Sequence, residues 1–514
     1  MNTKKVGQNI RFNGKNIPWY VLSFAISPIL AYLAHNITQV SPSVALLPLA
    51  FSVISAGILL VIVYALLRNW QRAAVVSMIF LVMFFLYGHA YSYLKGVNFS
   101  GFFVFRHRTL APIWLILTGL GVWWACRTNF NLQTLTLALN TTGIILFVMP
   151  VIQISSGLWL QWNAWRQASQ STPAPLNGGT ASAIQKTPDI YYIILDSYGR
   201  SDVIQRLYDY DNTGFIHSLE QQGFYVANCS QANYTQTELS LASSLNFNYL
   251  NALNSSLVPG NADRSPLWPL IMHSALRQYL KTLGYKTIAF ATDYGWTEIT
   301  DADIYLTPQT SIWELNSFQY ALIQTTAGRI LLDEETLRLP NTPDDIIRRN
   351  TQFALEKLQS IPSIKGPKFI FVHLLSPHSF VFGPNGESIA IDVSTMTPAI
   401  FKQGYVDQLI FIDKQIENLM ATIIANSSTP PIIIIQGDHG PAGAGPYERV
   451  SNLNAYYLPG HAGTLYNTIT PVNTFRVVLD SYFGQNLPIL PDISRYSTYQ
   501  DPYNSFEVKN TCSK

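Results

Sequence analysis

Hydrophobic positions in the first third of this chain run on with little interruption, whereas later they come in short bursts between polar segments. Five stretches, at 19–34, 44–67, 73–94, 110–126 and 135–152, contain no Asp, Glu, Lys or Arg. Most approach the ~20 residues that a helix needs to cross a hydrocarbon core. The pattern predicts an all-α bundle of five transmembrane helices within residues 1–165. The first is not a cleavable signal peptide, because no small-residue cleavage site follows it and its polar exit at His35-Asn36 leads to a second span.

Basic residues beside the spans set an orientation. Lys4, Lys5, Arg11, Lys15, Arg68, Arg72 and Arg127 lie on one side, against Lys95, Arg106, Arg108 and Arg166 on the other. The larger group marks the cytoplasmic side. With an odd number of spans, everything after them lies outside the cell. His89 and Asn140 are polar residues within spans; they read more simply as an interfacial and a packing residue than as a transport path.

Residues 166–188 form a flexible linker, with the run SQSTPAPLNGGTASA. Beyond it, β-branched and aromatic bursts at 189–195, 287–291, 369–374 and 431–435 read as buried strands. Helical patterns at 270–283, 345–360 and 404–425 alternate with them. The alternation predicts an α/β domain over 189–490, a mainly parallel sheet with helices on both faces, followed by an irregular tail at 491–514. In such sheets functional groups gather where strands end. Asp196, Asp438-His439, His373 and His378 all occupy such ends.

Composition narrows the function. Of 514 residues, 48% are hydrophobic and only 12% charged, which agrees with a chain partly in lipid. A net charge of +2 gives no basic field, so nucleic acid is excluded as a partner. Cys126, Cys229 and Cys512 have no CxxC spacing, so thiolate metal chemistry is unsupported. Cys229 and Cys512 can pair in an extracytoplasmic domain or remain free thiols; the sequence leaves both open.

The segment 233–245, NYTQTELSLASSL, reads as a helix start with hydroxyl caps and an early acid. Thr237 then sits in the first turn, near free N–H groups and the positive end of the helix dipole, where an anion such as phosphate is favoured. An ordinary N-cap threonine explains the same segment. Coordination of its hydroxyl to a divalent metal would make it a nucleophile.

These residues carry a family resemblance. An Asp at the first strand end, a Thr in a T-x-x-S helix start, a Pro-His pair and a late Gly-Asp-His-Gly resemble, in that order, the alkaline phosphatase and sulfatase superfamily. Five preceding spans are similar to its lipoteichoic acid synthase and phosphoethanolamine transferase branch. The resemblance covers roughly 189–484 and the membrane layout. It implies an alkaline phosphatase-like fold and one divalent metal ion, manganese or zinc rather than magnesium, held by Asp196, Thr237, Asp438 and His439. It also implies that Thr237 attacks a phosphodiester to give a phospho-threonine intermediate. His378 and His373 then contact phosphate oxygens, with His378 protonating the leaving group.

Two departures refine this picture. Sulfatases mature a Cys or Ser within C-x-P-x-R, whereas Cys229-Ser-Gln-Ala-Asn233 lacks the Pro and the Arg. Two-metal relatives need Asp-x-x-x-His, and Leu374 stands four before His378. The expected activity is therefore transfer of phosphoglycerol or phosphoethanolamine from a membrane lipid donor to an envelope glycan or lipid acceptor. The catalytic domain would be extracytoplasmic on a multi-pass, integral cell-membrane protein. An extracytoplasmic phosphodiesterase or sulfatase-like hydrolase using water is the alternative. A transporter would need intramembrane charges, and a binding-only relative would have lost its ligands. His461 reads as a loop residue rather than a second-site ligand. Tyr294, Trp296 and Trp313 are candidates for holding an ammonium headgroup or for plain packing. The sequons at Asn233, Asn254 and Asn426 read as chance.

Overall fold

The computed structural model describes residues 17–37, 40–99, 102–103, 105–170, 187–309, 314–333, 342–389 and 396–512. The chain divides into two compact units, Met1–Trp159 with Glu314–Thr342, and Leu160–Trp313 with Pro343–Lys514.

In the first unit all five apolar stretches are helical: α1 (Tyr20–Asn36), α2 (Leu46–Leu67), α3 (Trp70–Leu94), α4 (His107–Arg127) and α5 (Leu132–Gln170). Four segments are long and apolar enough to cross a membrane: Pro42–Leu67, Trp70–Leu94, His107–Arg127 and Leu132–Asn163. The fifth, α1, has 17 residues. At that length it stands at the lower limit for crossing a hydrocarbon core. Five helices therefore form as expected, and among the described residues four of them are long and apolar enough to be candidate spans. α1 buries Tyr20, Ala25, Ile29 and Leu33 in the bundle instead of offering them to lipid. Asn140 braces its start, accepting from the Tyr20 N–H and donating to the Ile17 carbonyl, both at 2.9 Å. Orphan groups at a helix end need such partners where water is absent. His89 is exposed on α3. Elsewhere the bundle turns Phe51, Leu66 and Leu115 outward, each more than 70% exposed, as suits a lipid solvent.

Two short helices from the later segment, Ser317–Gln324 and Arg329–Asp333, belong to this unit. Phe318 and Leu322 join its core, and the Ala327 N–H donates to the Phe84 carbonyl at 2.8 Å. Close approach here requires Gly88, since a Cβ would run into the backbone of Gln324 and Thr325. Buried His107 ties the set together. Its Nδ1 meets the Tyr87 hydroxyl at 2.8 Å and its Nε2 meets Asp333 Oδ2 at 3.1 Å.

The second unit holds a seven-stranded sheet. Its strands are β1 (Ile190–Leu195), β2 (Tyr225–Val226), β3 (Lys286–Phe290), β4 (Ile304–Leu306), β5 (Lys368–Leu374), β6 (Ile432–Gly437) and β7 (Asn454–Tyr457). The spatial order is β2-β7-β6-β1-β5-β3-β4. Pairings from β6 to β4 are parallel, and those made by β7 are antiparallel. Helices α6 (Thr237–Ser244), α7 (Pro343–Leu358), α8 (Pro398–Asn426), α9 (Pro446–Val450) and α10 (Pro471–Phe483) accompany it. The expected helix at 270–283 is two, Leu267–Met272 and Ala275–Thr282, the second capped by the Ser274 side chain.

Alternation along the strands builds two cores. Tyr192, Phe371 and Ile434 face Leu239 and Leu241 of α6 and Phe475 of α10. Ile193, Val372 and Ile435 face Leu355 of α7 and Leu409, Ile412 and Ile416 of α8. Helices thus cover both faces of a mainly parallel sheet. Helix α5 continues through Gln170, and the rest of the linker up to residue 186 lies outside the described residues. Past residue 491 the chain is irregular apart from the short pairing of Arg495–Tyr496 with Phe506–Glu507. A disulfide between Cys229 and Cys512 fastens it.

Candidate active site

The register of three central strands creates the site. Leu195 stands between Leu374 on β5 and Gly437 on β6, so the three carboxyl ends finish abreast. Asp196 and Asp438 leave those ends next to each other. His373 is in phase with Phe369 and Phe371, and the two aspartates continue the phase of Ile194 and Gln436; this is the sheet face that α6 covers.

All three side chains are buried, and one ligand atom from each of Asp196, His373 and Asp438 lies within 4.8 Å of the others. His373 Nε2 is 3.5 Å from Asp196 Oδ2. Thr297 Oγ1 meets the other ring nitrogen at 3.0 Å and so orients the imidazole. His439 Nε2 is 3.3 Å from Asp438 Oδ2 and 3.4 Å from Thr237 Oγ1. Its Nδ1 faces the Gly440 carbonyl at 3.0 Å. Thr237 is the first residue of α6, whose N-cap is Gln236 without a side-chain cap bond, not a hydroxyl residue as the sequence suggests. The T-x-x-S spacing has a direct use, since the Ser240 hydroxyl donates to the Asp438 carbonyl at 2.7 Å.

Whether a cation fits can be judged from unsatisfied atoms. His373 Nε2 and Asp438 Oδ2 are buried and have no hydrogen-bond partner. Leaving such groups unpaired is costly, and a shared cation would satisfy both. Two carboxylates and one or two imidazoles suit zinc or manganese better than magnesium. Electrostatics agree. Burial and the neighbouring Asp196 charge push the Asp438 carboxyl up to about 6. Burial acts to raise Asp196 as well, but the charges of His378 and His373 win and hold it below the usual carboxylate range. Burial and the Arg449 charge push the His439 imidazole well below its ordinary value, which leaves a neutral nitrogen suited to a metal.

The structure therefore brings Asp196, Thr237, Asp438 and His439 together and adds His373, which the sequence reading assigned to phosphate, to the same buried set. His378 is exposed at the edge of this site; its backbone N–H donates to the Asp196 carbonyl at 3.1 Å. His461 packs against Tyr482, with ring centroids 4.5 Å apart. Trp296 is core, 3% exposed. Tyr294 reaches Glu238 Oε2 at 3.4 Å, and Trp313 lies outside the described residues. The Asn233 side chain is buried and bonded to the Ile493 carbonyl and the Val472 N–H, so no glycan fits there.

Sequence reasoning missed two residues. Ser197 adopts φ 63°, which turns its N–H onto Asp438 Oδ1 at 2.9 Å. Arg449, on α9, donates from Nε to the Thr235 carbonyl and from Nη1 to the Gly440 carbonyl, both at 3.1 Å, and its Nη2 lies 3.3 Å from His439 Nε2. Adjacency to Asp196 was a usable signal for Ser197. Arg449 gave none, because nothing in the local pattern of α9 shows which way its side chain turns.

Residues 188–476 match the sulfatase family. Among solved structures, the periplasmic domain of EptC from Escherichia coli, in complex with zinc, is similar at 13% identity and TM-score 0.41, covering 63% of this chain and 94% of that one. The periplasmic domain of the phosphoethanolamine transferase EptC from Campylobacter jejuni is similar at 12% identity and TM-score 0.36, covering 58% and 90%. A phosphonate monoester hydrolase of Agrobacterium radiobacter is similar at 15% identity and TM-score 0.37, covering 58% and 74%. No curated protein matches the chain in sequence.

Proposed function

Because this chain belongs to the sulfatase family and is an enzyme of the alkaline phosphatase superfamily, we propose that it is a membrane-anchored, metal-dependent phosphotransferase. It moves a phospho-alcohol headgroup, phosphoglycerol or phosphoethanolamine, from a lipid donor to an envelope acceptor. The observation that carries this reading is the Thr237 hydroxyl at the start of α6, set beside buried carboxylate and imidazole atoms that lack partners. The incomplete C-x-P-x-R pattern at Cys229 supports threonine, not formylglycine, as the nucleophile. Four apolar spans on the same chain support a lipid donor. The Cys229–Cys512 disulfide supports an oxidising, extracytoplasmic location for the catalytic unit.

Asp196, Asp438, His439 and Thr237, with His373, would hold one divalent ion, zinc or manganese. That ion supplies positive charge beside the attacking hydroxyl and the phosphoryl oxygens. The residues of the chain do the rest. Thr237 Oγ1 forms the new bond to phosphorus while the bond from phosphorus to the lipid alcohol breaks. Its proton has a buried acceptor beside it in the Asp438 carboxylate. The exposed His378 would give a proton to the departing diacylglycerol oxygen. The N-terminal N–H groups of α6 favour the negative charge that collects on the phosphoryl group. The envelope alcohol then takes the group from Thr237.

The full chain in detergent, with Thr237→Ala and Thr237→Ser, tests this on phosphatidylglycerol and phosphatidylethanolamine vesicles. Diacylglycerol release is expected from the wild type, a fall of at least ~10³-fold in the Ala variant with metal retained, and partial activity in the Ser variant. Undiminished release from Thr237→Ala removes the nucleophile. Headgroup phosphate found free in solution, with an acceptor supplied, makes water the acceptor and the enzyme a hydrolase.

A further inference from the structure

Two arginines near this site are paired with carboxylates. Arg200 pairs with Asp202 at 2.7 Å, and Arg264 pairs with Glu238, the neighbour of Thr237. Arg449 is partly buried and, among the described residues, has no carboxylate within ion-pair distance. Removing a cation from water is costly, and here only carbonyl hydrogen bonds and the more distant charges of Asp438 and Asp196 offset it.

We propose that Arg449 grips the phosphoryl oxygens of the substrate and makes the site selective for anionic phosphodiesters, an inference that rests on the phosphotransfer reading above. Three contacts aim the guanidinium. Nε and Nη1 are pinned to the carbonyls of Thr235 and Gly440, one on each side of the proposed chemistry. Nη2 lies 3.3 Å from His439 Nε2, the same nitrogen that Thr237 Oγ1 approaches to 3.4 Å. Guanidinium edge and hydroxyl thus flank one atom. Arginine carries five N–H donors, of which the two carbonyl contacts use two. The donors left on Nη1 and Nη2 can meet two phosphate oxygens as a planar fork.

Charge balance points the same way. Asp196 and Asp438 together match one divalent cation, so an incoming phosphodiester brings a negative charge that neither cancels. Arg449 is the permanent positive charge at the site left to meet it. An uncharged ester gains nothing from that contact.

Arg449 also braces the His439 loop, so the test must separate holding the ligand loop from holding phosphate. Equilibrium binding of inorganic phosphate is measured calorimetrically on the zinc-loaded full chain carrying Thr237→Ala, with Arg449→Met or Arg449→Lys added, and zinc content is measured alongside. The Met variant is expected to bind phosphate roughly 10- to 100-fold more weakly, the cost of one charged, two-pronged contact, with zinc content unchanged. Lys, which keeps the charge but loses the fork, falls between. Phosphate affinity equal to the parent overturns the proposal, and so does a loss that follows zinc content step for step. If the Met variant does not fold, Lys alone decides: parent-like affinity overturns the proposal, and weaker binding with full zinc supports it. The outcomes stay separable from the broader reading. Turnover that survives Thr237→Ala defeats the nucleophile assignment and leaves the phosphate measurement standing.

Discussion

Gly440 shows how tightly single positions govern this site. A Cβ there would collide with the carbonyls of Glu448 and Ser451, so only glycine lets the chain turn beside His439. Gly440→Ala is expected to displace the imidazole and weaken binding of the proposed divalent ion about 10- to 100-fold, the range seen when ligand support is lost; titration against a metal indicator reads this directly. Asp438→Asn is expected to cost more, because Oδ2 is the unpartnered oxygen and an amide keeps shape without charge. Asp196 and Asp438 were legible in the sequence for a simple reason: each follows a run of buried β-branched or aromatic residues, and polar residues after such runs mark strand ends. Thr237 was legible from the helix start it opens. The place of His373 beside the aspartates depends on strand register, which no local pattern displays. Arg449 depends on which way its side chain turns from the short helix α9, which no local pattern displays either.

Among the elements, β1, β5 and β6 needed little tertiary information, since continuous apolar runs can be buried only on both faces. Helix limits were harder. Ser274 caps a new helix in the middle of one continuous apolar pattern. The tail read as irregular, yet it holds the start of α6: Gln236 Nε2 donates to Ser497 Oγ and to the Thr498 carbonyl at 3.1 Å, and Arg264 donates to the Tyr499 carbonyl at 2.6 Å. Cys229 and Cys512, 283 residues apart, close that loop. Cys229→Ser with Cys512→Ser should lower stability by roughly 2–5 kcal/mol, seen as an earlier thermal transition by tryptophan fluorescence. On α8, burial pushes the Asp413 carboxyl up to about 8, although the hydroxyls of Tyr198 and Tyr210 favour its charge. A carboxyl raised in the folded state contributes stability that is full below its unfolded value of about 4 and is lost as pH rises through about 8. Asp413→Asn should therefore gain stability relative to the wild type as pH rises from 5 to 8.5, by up to about 4 kcal/mol. A gain that is larger at pH 5 would contradict this.

Over the whole molecule, composition made the apolar helical portion plain, and four of its five helices are candidate spans by length and apolarity. The return of residues 314–342 to the membrane unit was not legible, because its two helices are short and part of their anchoring is polar. Arg329 meets Asp333 at 2.8 Å and Ser92 at 2.6 Å, while His107 stacks on Tyr91 at 3.8 Å. His107→Ala should destabilise this unit by about 2–3 kcal/mol and leave zinc content intact, since the network includes none of the proposed ligands.

The central claim is that Thr237 carries the transferred group. Intact-mass and peptide analysis of the full-length protein, quenched during turnover of a lipid donor, tests it most directly. A headgroup-phosphate adduct on the peptide containing Thr237, absent after metal removal and absent in Thr237→Ala, is the predicted result. Steady turnover with that peptide unmodified, or with the adduct on another residue, would contradict it.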